Sequence, residues 1–187
     1  MIVTILAEPR SGSTNLANWF YYNKSFTTLF EPLNPVSKWY LNNEPIDEYK
    51  YNTKNLCIKE IYSPEKNWEP LIRMSDKIIV LHRENTEEQV ESFINAVSTD
   101  NWTRRYEYKK IENDFTKEKT EFFKKIKVMF NEKYVNKDFF TISYEELYYN
   151  NGFKKIVNHI NLKEVTDNDF PVGVKYRIDT TKPRPLI

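Results

Sequence analysis

Apolar residues along this chain fall into two alternating patterns. Short unbroken runs rich in β-branched and aromatic residues stand at Ile2–Ala7, Ser25–Phe30, Leu56–Ile61, Lys77–His82 and Phe139–Ile142. Each is too short to cross a membrane and reads as a strand, the most apolar of them as strands buried on both faces of a parallel sheet. Other stretches space their apolar residues three and four apart, the signature of helices with one buried stripe. Those stripes are Leu16, Trp19 and Phe20; Val90, Phe93, Ile94 and Val97; Phe122, Phe123, Ile126, Met129 and Phe130 in a long helix over Phe115–Tyr134; and Phe153, Ile156, Val157 and Ile160.

Start and stop signals divide these elements. Pro9 ends the first run, and Ser13, Thr14 or Asn15 caps the helix beyond it. Glu31-Pro32 closes the second run, and Asn34-Pro35 opens a short helix that buries Trp39 and Tyr40. Ser63-Pro64-Glu65 starts a helix with Trp68, Leu71 and Ile72 inside, shortened or kinked by Pro70. Thr86-Glu87-Glu88-Gln89 and Ser143-Tyr144-Glu145-Glu146 are capping-box patterns. Asn42–Lys54 reads as a loop and a candidate acceptor-binding surface, and residues 163–187 as an irregular Pro-rich tail. Strands separated by helices or long crossovers predict a three-layer α/β domain with a mainly parallel sheet of about five strands flanked by helices. A chain of 187 residues suits one domain, 1–187, with a real core.

Composition narrows the function classes. A net charge of +1 gives no global field for nucleic acid or an anionic membrane, so any anion site is local. The lysines of the Phe115–Tyr134 helix read as a solvated face, since a membrane-surface helix would have no second anchor. Trp102, Arg104, Arg105, Tyr106 and Tyr108 read as cleft or surface residues rather than a base-stacking platform. Cys57 is the single cysteine and no cationic start or long apolar segment is present, which leads to the expectation of a reducing, cytoplasmic setting. No His/Cys cluster suggests a metal. With three glycines in the chain, Gly12 and Gly152 each answer a backbone demand.

The chemistry lies where runs end. Glu8-Pro9-Arg10-Ser11-Gly12-Ser13-Thr14 joins the first strand to a helix, and a helix N-terminus after such a turn binds phosphate or sulfate. The turn departs from an ATP loop: Ala7 replaces its first Gly and Ser13 its Lys, and the cation has moved to Arg10. Arg83 follows the fourth run, at the strand end where α/β sheets bind ligands, and Ser92 stands nine residues later, roughly opposite the apolar stripe of its helix. The guanidinium of Arg83 suits bidentate phosphate binding.

Arg10-Ser11-Gly12-Ser13-Thr14 resembles the 5′-phosphosulfate loop of the sulfotransferases, the carbohydrate-type and bacterial branches in particular. Arg83 with Ser92 resembles their 3′-phosphate motif, although Asn85 stands where the family often has Pro. Phe30-Glu31-Pro32-Leu33 is similar to a segment whose Glu is a candidate catalytic base, and Tyr144-Glu145-Glu146-Leu147 to a structural segment after a late strand. The resemblance implies a P-loop-like domain that uses 3′-phosphoadenosine 5′-phosphosulfate (PAPS) and no metal. It implies transfer of a sulfuryl group to a hydroxyl, or less often an amine, of a small-molecule or carbohydrate acceptor. Arg10, Ser11, Gly12, Ser13, Thr14 and Asn15 would hold the 5′-phosphosulfate and Arg83 and Ser92 the 3′-phosphate, with Arg10 and Glu31 catalytic. It also places Lys59 near the cleft, but alternation along the strand makes Lys59 and Glu60 ordinary sheet-surface ions. His82 reads as packed or capping. Lys175, Arg177, Lys182 and Arg184 offer late cations without the family's Gly motif. A nucleotide-dependent kinase, or a non-catalytic nucleotide- or sugar-binding module on the same fold, are the alternatives.

Overall fold

All five apolar runs enter one sheet. The computed structural model describes residues 1–24, 26–37, 54–99, 114–135, 137–150 and 152–162. Its strands are β1 (Ile2–Ala7), β2 (Thr27–Phe30), β3 (Leu56–Ile61), β4 (Lys77–His82) and β5 (Phe140–Ser143), parallel throughout and ordered β2-β3-β1-β4-β5. The helices are α1 (Ser13–Lys24), α2 (Glu69–Met74), α3 (Thr86–Thr99), α4 (Asp114–Tyr134), α5 (Tyr144–Tyr149) and α6 (Gly152–Ile160).

Strand alternation sorts the core into two layers. Val3, Ile5 and Ala7 of β1 join Leu16 and Phe20 of α1, Leu147 of α5, and Phe153 and Ile156 of α6 on one face. Ile2 and Leu6 join Leu56, Ile58 and Val80 on the other, under Trp68, Leu71 of α2 and Ile126, Phe130 of α4. Each buried Val, Leu, Ile or Phe among them contributes about 1.5–3 kcal/mol relative to exposure. β1 has strands on both edges and helices on both faces, which is why every one of its residues is buried.

Several expectations are corrected. The helix expected from Ser63 begins at Glu69, with Pro70 in its first turn, where no N–H is required; Trp68 and Leu71 are buried and Ile72 partly so. Asn34-Pro35 starts no helix among the described residues; turns close from Asn34 N–H to Glu31 C=O and from Ser37 N–H to Asn34 C=O. In α4 the seam is narrower than expected. Phe123, Ile126, Phe130 and Tyr134 face inward, whereas Phe122 and Met129 are exposed, because α4 meets α3 and the sheet along a single i, i+3/i+4 line. Gly152 opens α6 at a close approach, where a Cβ would come within 2.6 Å of Leu147 Cα. Ser25, Trp39, Tyr40, the loop to residue 53, the aromatic and basic residues Trp102–Tyr108 and the tail cations lie outside the described residues.

From β1 the chain moves through α1 to one side of the sheet, and from β4 to β5 on the other. The order therefore reverses between β1 and β4, and ligands in such folds bind beyond the carboxyl ends of the strands at that point. Arg10 follows β1, Arg83 follows β4, and Glu31 follows β2.

Candidate functional site

The β1–α1 turn is left-handed twice, at Arg10 (φ 63°) and Gly12 (φ 78°). Gly12 is required for two reasons: its φ, and the 2.8 Å that a Cβ would leave to Tyr144 Cδ2. Its carbonyl accepts from Leu16 N–H at 3.3 Å, from Asn15 N–H at 3.0 Å and from the Tyr148 hydroxyl at 2.8 Å. Burial raises the Tyr148 pKa well above its ordinary value, so it remains a donor. Because Gly12 takes the first helical bond, Ser13, Thr14 and Asn15 lie inside the first turn rather than capping it. Ahead of the Asn15 N–H, which Gly12 takes, the first-turn N–H groups have no helical carbonyl four residues back, and the dipole adds positive potential there.

Other contacts brace the turn. The Ser11 hydroxyl is buried and donates to Glu8 C=O at 2.8 Å, so it shapes the loop from within. Arg10 Nε donates to Ser92 Oγ at 2.9 Å. Gln89 Nε2 donates to Pro9 C=O at 2.8 Å and to Glu8 Oε2 at 2.9 Å. Behind them, Lys127 of α4 donates to Gln89 Oε1 at 2.7 Å and to Arg83 C=O, and its Nζ lies 3.4 Å from Glu8 Oε2. The Arg83 N–H donates to the same Glu8 oxygen at 3.0 Å. Glu8, Gln89 and Lys127 thus tie α3, α4 and the ends of β1 and β4 together. None stands out as a site residue in the sequence; the signal it offers is Glu8, a carboxylate directly after a largely apolar strand.

Gln89 also corrects the first capping box. Its side chain reaches the loop instead of the start of α3, and Asn85 caps the helix by accepting from Glu88 N–H at 3.1 Å. Pro cannot make that side-chain contact. The second box forms in its cap half: Ser143 Oγ accepts from Glu146 N–H at 3.1 Å, while the Glu146 carboxylate pairs with Lys155.

Arg83 is buried, and its guanidinium lies 4.5 Å from the centre of the Tyr144 ring, the same ring that abuts Gly12. It pairs with Glu88 and, at 3.7 Å, with Glu145. Arg10 and Arg83 therefore share one end of the sheet, and Tyr144 stands at Arg83 and at Gly12 of the Arg10 turn. Ser92, expected beside Arg83, bonds to Arg10.

Glu31 also has a left-handed backbone, at φ 57°, and its N–H donates to Lys59 C=O at 2.7 Å. Its carboxylate accepts from Lys59 Nζ and from Asn34 Nδ2 at 3.0 Å. Burial pushes this carboxyl up, but the Lys59 ammonium and the two hydrogen bonds reverse that and hold it below its ordinary value. Lys59 and Glu60 are 3% and 0% exposed, which corrects the surface-ion expectation: β3 lies between β2 and β1 with both faces covered. Glu60 points away from Lys59, accepts from Leu33 N–H at 3.0 Å and pairs with Lys66. Burial, opposed by Lys66, raises its pKa. His82 is half-buried, and burial lowers its pKa, in keeping with a packed role. Among the described residues, no three His, Cys, Asp or Glu side chains gather to hold a metal, and no helix is long and apolar enough to cross a membrane.

No family model and no curated protein sequence matches this chain. Among solved structures it is similar to mouse sulfotransferase SULT7A1 complexed with PAP, at TM-score 0.59 and 19% identity. This chain has a sulfotransferase fold. The likeness covers 90% of this chain and 60% of the mouse protein, so the chain spans less than two thirds of that protein's length.

Proposed function

We propose that this protein is a sulfotransferase of the carbohydrate-type or bacterial kind, moving a sulfuryl group from PAPS to a hydroxyl, or less often an amine, of a small-molecule or carbohydrate acceptor. The observation that carries the reading is the pair of arginines, Arg10 and Arg83, at the carboxyl ends of adjacent strands of a sulfotransferase fold, with Tyr144 against both the loop and Arg83.

In this reading the N–H groups from Ser11 to Thr14 and the Arg10 guanidinium hold the 5′-phosphosulfate, the Asn15 N–H being given to the Gly12 carbonyl. Arg83 and Ser92 hold the 3′-phosphate, Ser92 through the same hydroxyl that accepts from Arg10. Glu31 stands two strands from β1, about 10 Å by ordinary strand spacing, where an acceptor fits between it and the loop. Glu31 takes the proton of the acceptor hydroxyl as that oxygen bonds to sulfur. The bond from sulfur to the bridging oxygen breaks, its electron pair stays on the departing adenosine 3′,5′-bisphosphate, and Arg10 stabilises that charge. Positioning and fixed electrostatics supply most of the acceleration, as in loose phosphoryl transfer. Lys59 keeps Glu31 ionised. No metal takes part.

Calorimetric titration with adenosine 3′,5′-bisphosphate, ATP and ADP tests this, together with transfer of labelled sulfate from PAPS to an acceptor pool. The bisphosphate is expected to bind tightest, with the preference lost in Arg83→Ala. Tighter Mg²⁺-dependent ATP binding overturns the reading in favour of a kinase, and bisphosphate binding without transfer favours a non-catalytic module.

A further inference from the structure

Glu88 has no part in the reaction proposed above, yet its carboxylate takes an N–H of the Arg83 guanidinium, the group assigned there to the 3′-phosphate. Glu145 stands at the same guanidinium, 3.7 Å from Nε. The two carboxylates are held differently. Glu145 is anchored by the N–H groups of Glu84 and Asn85 at 2.9 and 3.1 Å, and its side chain is 24% exposed. Burial pushes its carboxyl up, but those N–H groups and Arg83 outweigh the burial and hold it below its ordinary value. The Glu88 side chain is 60% exposed, and its carboxylate is held through Arg83. A guanidinium N–H given to a carboxylate is not given to a phosphate oxygen, and two anions at one cation repel each other.

We propose that Glu88 is a specificity-determining residue of the nucleotide site, an internal competitor for Arg83 that a 3′-phosphate must displace. The proposal rests on the reading of Arg83 as the 3′-phosphate ligand. Glu88 weakens nucleotides that carry a 3′-phosphate more than those that carry a 5′-phosphate alone. The same competition hastens departure of the bisphosphate product, a step that limits turnover in many enzymes.

Calorimetry on the full chain, with adenosine 3′,5′-bisphosphate and adenosine 5′-monophosphate as the two probes, tests it. Glu88→Gln keeps the size of the side chain and removes its charge; Glu87→Gln removes a charge one residue away in the same helical turn. In Glu88→Gln the preference for the bisphosphate over the monophosphate is expected to rise about threefold to tenfold at low salt, and less at high salt, as for an exposed charge. Glu87→Gln is expected to leave that preference where it was. An unchanged preference in Glu88→Gln, or an equal rise in Glu87→Gln, overturns the proposal. If Arg83→Ala removes the preference while Glu88→Gln leaves it alone, only this proposal falls. If the unaltered chain shows no preference, or Arg83→Ala keeps it, the reading of the site falls as well.

Discussion

Arg10 and Glu31, the two residues assigned chemistry, both hold left-handed backbones, a conformation that costs a non-glycine residue about 1–3 kcal/mol. In each case hydrogen bonds hold the side chain at a strand end, Arg10 to Ser92 and Glu31 to Lys59 and Asn34. Arg10→Ala is expected to cut sulfate transfer roughly 10²–10³-fold, the scale of losing one preorganised group that meets developing charge, as read in a labelled-sulfate assay. In the proposed reaction Glu31 accepts a proton only while ionised, so activity is expected to fall as pH drops through its pKa, which Lys59 and the hydrogen bonds hold below the ordinary carboxylate value. Lys59→Met removes the charge that lowers that pKa and leaves the burial that raises it. The acid limb of kcat/KM against pH is therefore expected to move upward in the variant. Gly12→Ala meets both the positive φ and the Tyr144 ring; a stability loss of about 2–4 kcal/mol in urea denaturation is expected, strain and overpacking together.

At the scale of elements, α3 and α4 brace the β1–α1 turn. α3 sends Gln89 to the Pro9 carbonyl and Ser92 to Arg10, three residues apart and so on one helical face. α4 inserts Lys127 behind them, with a side chain 11% exposed against a Glu8 side chain at 1%. Removing one partner of a buried ion pair leaves the other charge uncompensated. Lys127→Met is expected to lower stability by about 3–5 kcal/mol in urea denaturation, with part of the loss recovered when Glu8→Gln is added. The capping pattern at Thr86 was visible in the sequence, but the helix uses Asn85 as its cap. That choice freed Gln89 for the loop, and nothing within the local stretch foretold it.

For the whole molecule, the sheet order decides where the site lies. Placing β1 between β3 and β4 brings the ends of three separate strand–turn segments to one edge. If that edge takes the nucleotide, adenosine 3′,5′-bisphosphate at about 100 times its Kd is expected to stabilise the fold by about 2.7 kcal/mol. For a chain of 187 residues that is a rise in Tm of about 5–10 °C, measured by differential scanning fluorimetry and unchanged by EDTA. The sequence by itself determined the strands, most of the helices and the Arg10 turn, because these follow from the two-residue and 3.6-residue periods of neighbouring side chains and from what Gly and Pro permit locally. It also carried Arg83, since a cation directly after an apolar strand is a local pattern. Only the tertiary structure decided that Glu8 meets Gln89 and Lys127, 81 and 119 residues away, that Lys59 and Glu60 are buried, and that Ser92 serves Arg10. Those contacts depend on which strands become neighbours and which helix face turns inward, and both are settled by packing across the whole sheet rather than by any stretch of chain read alone.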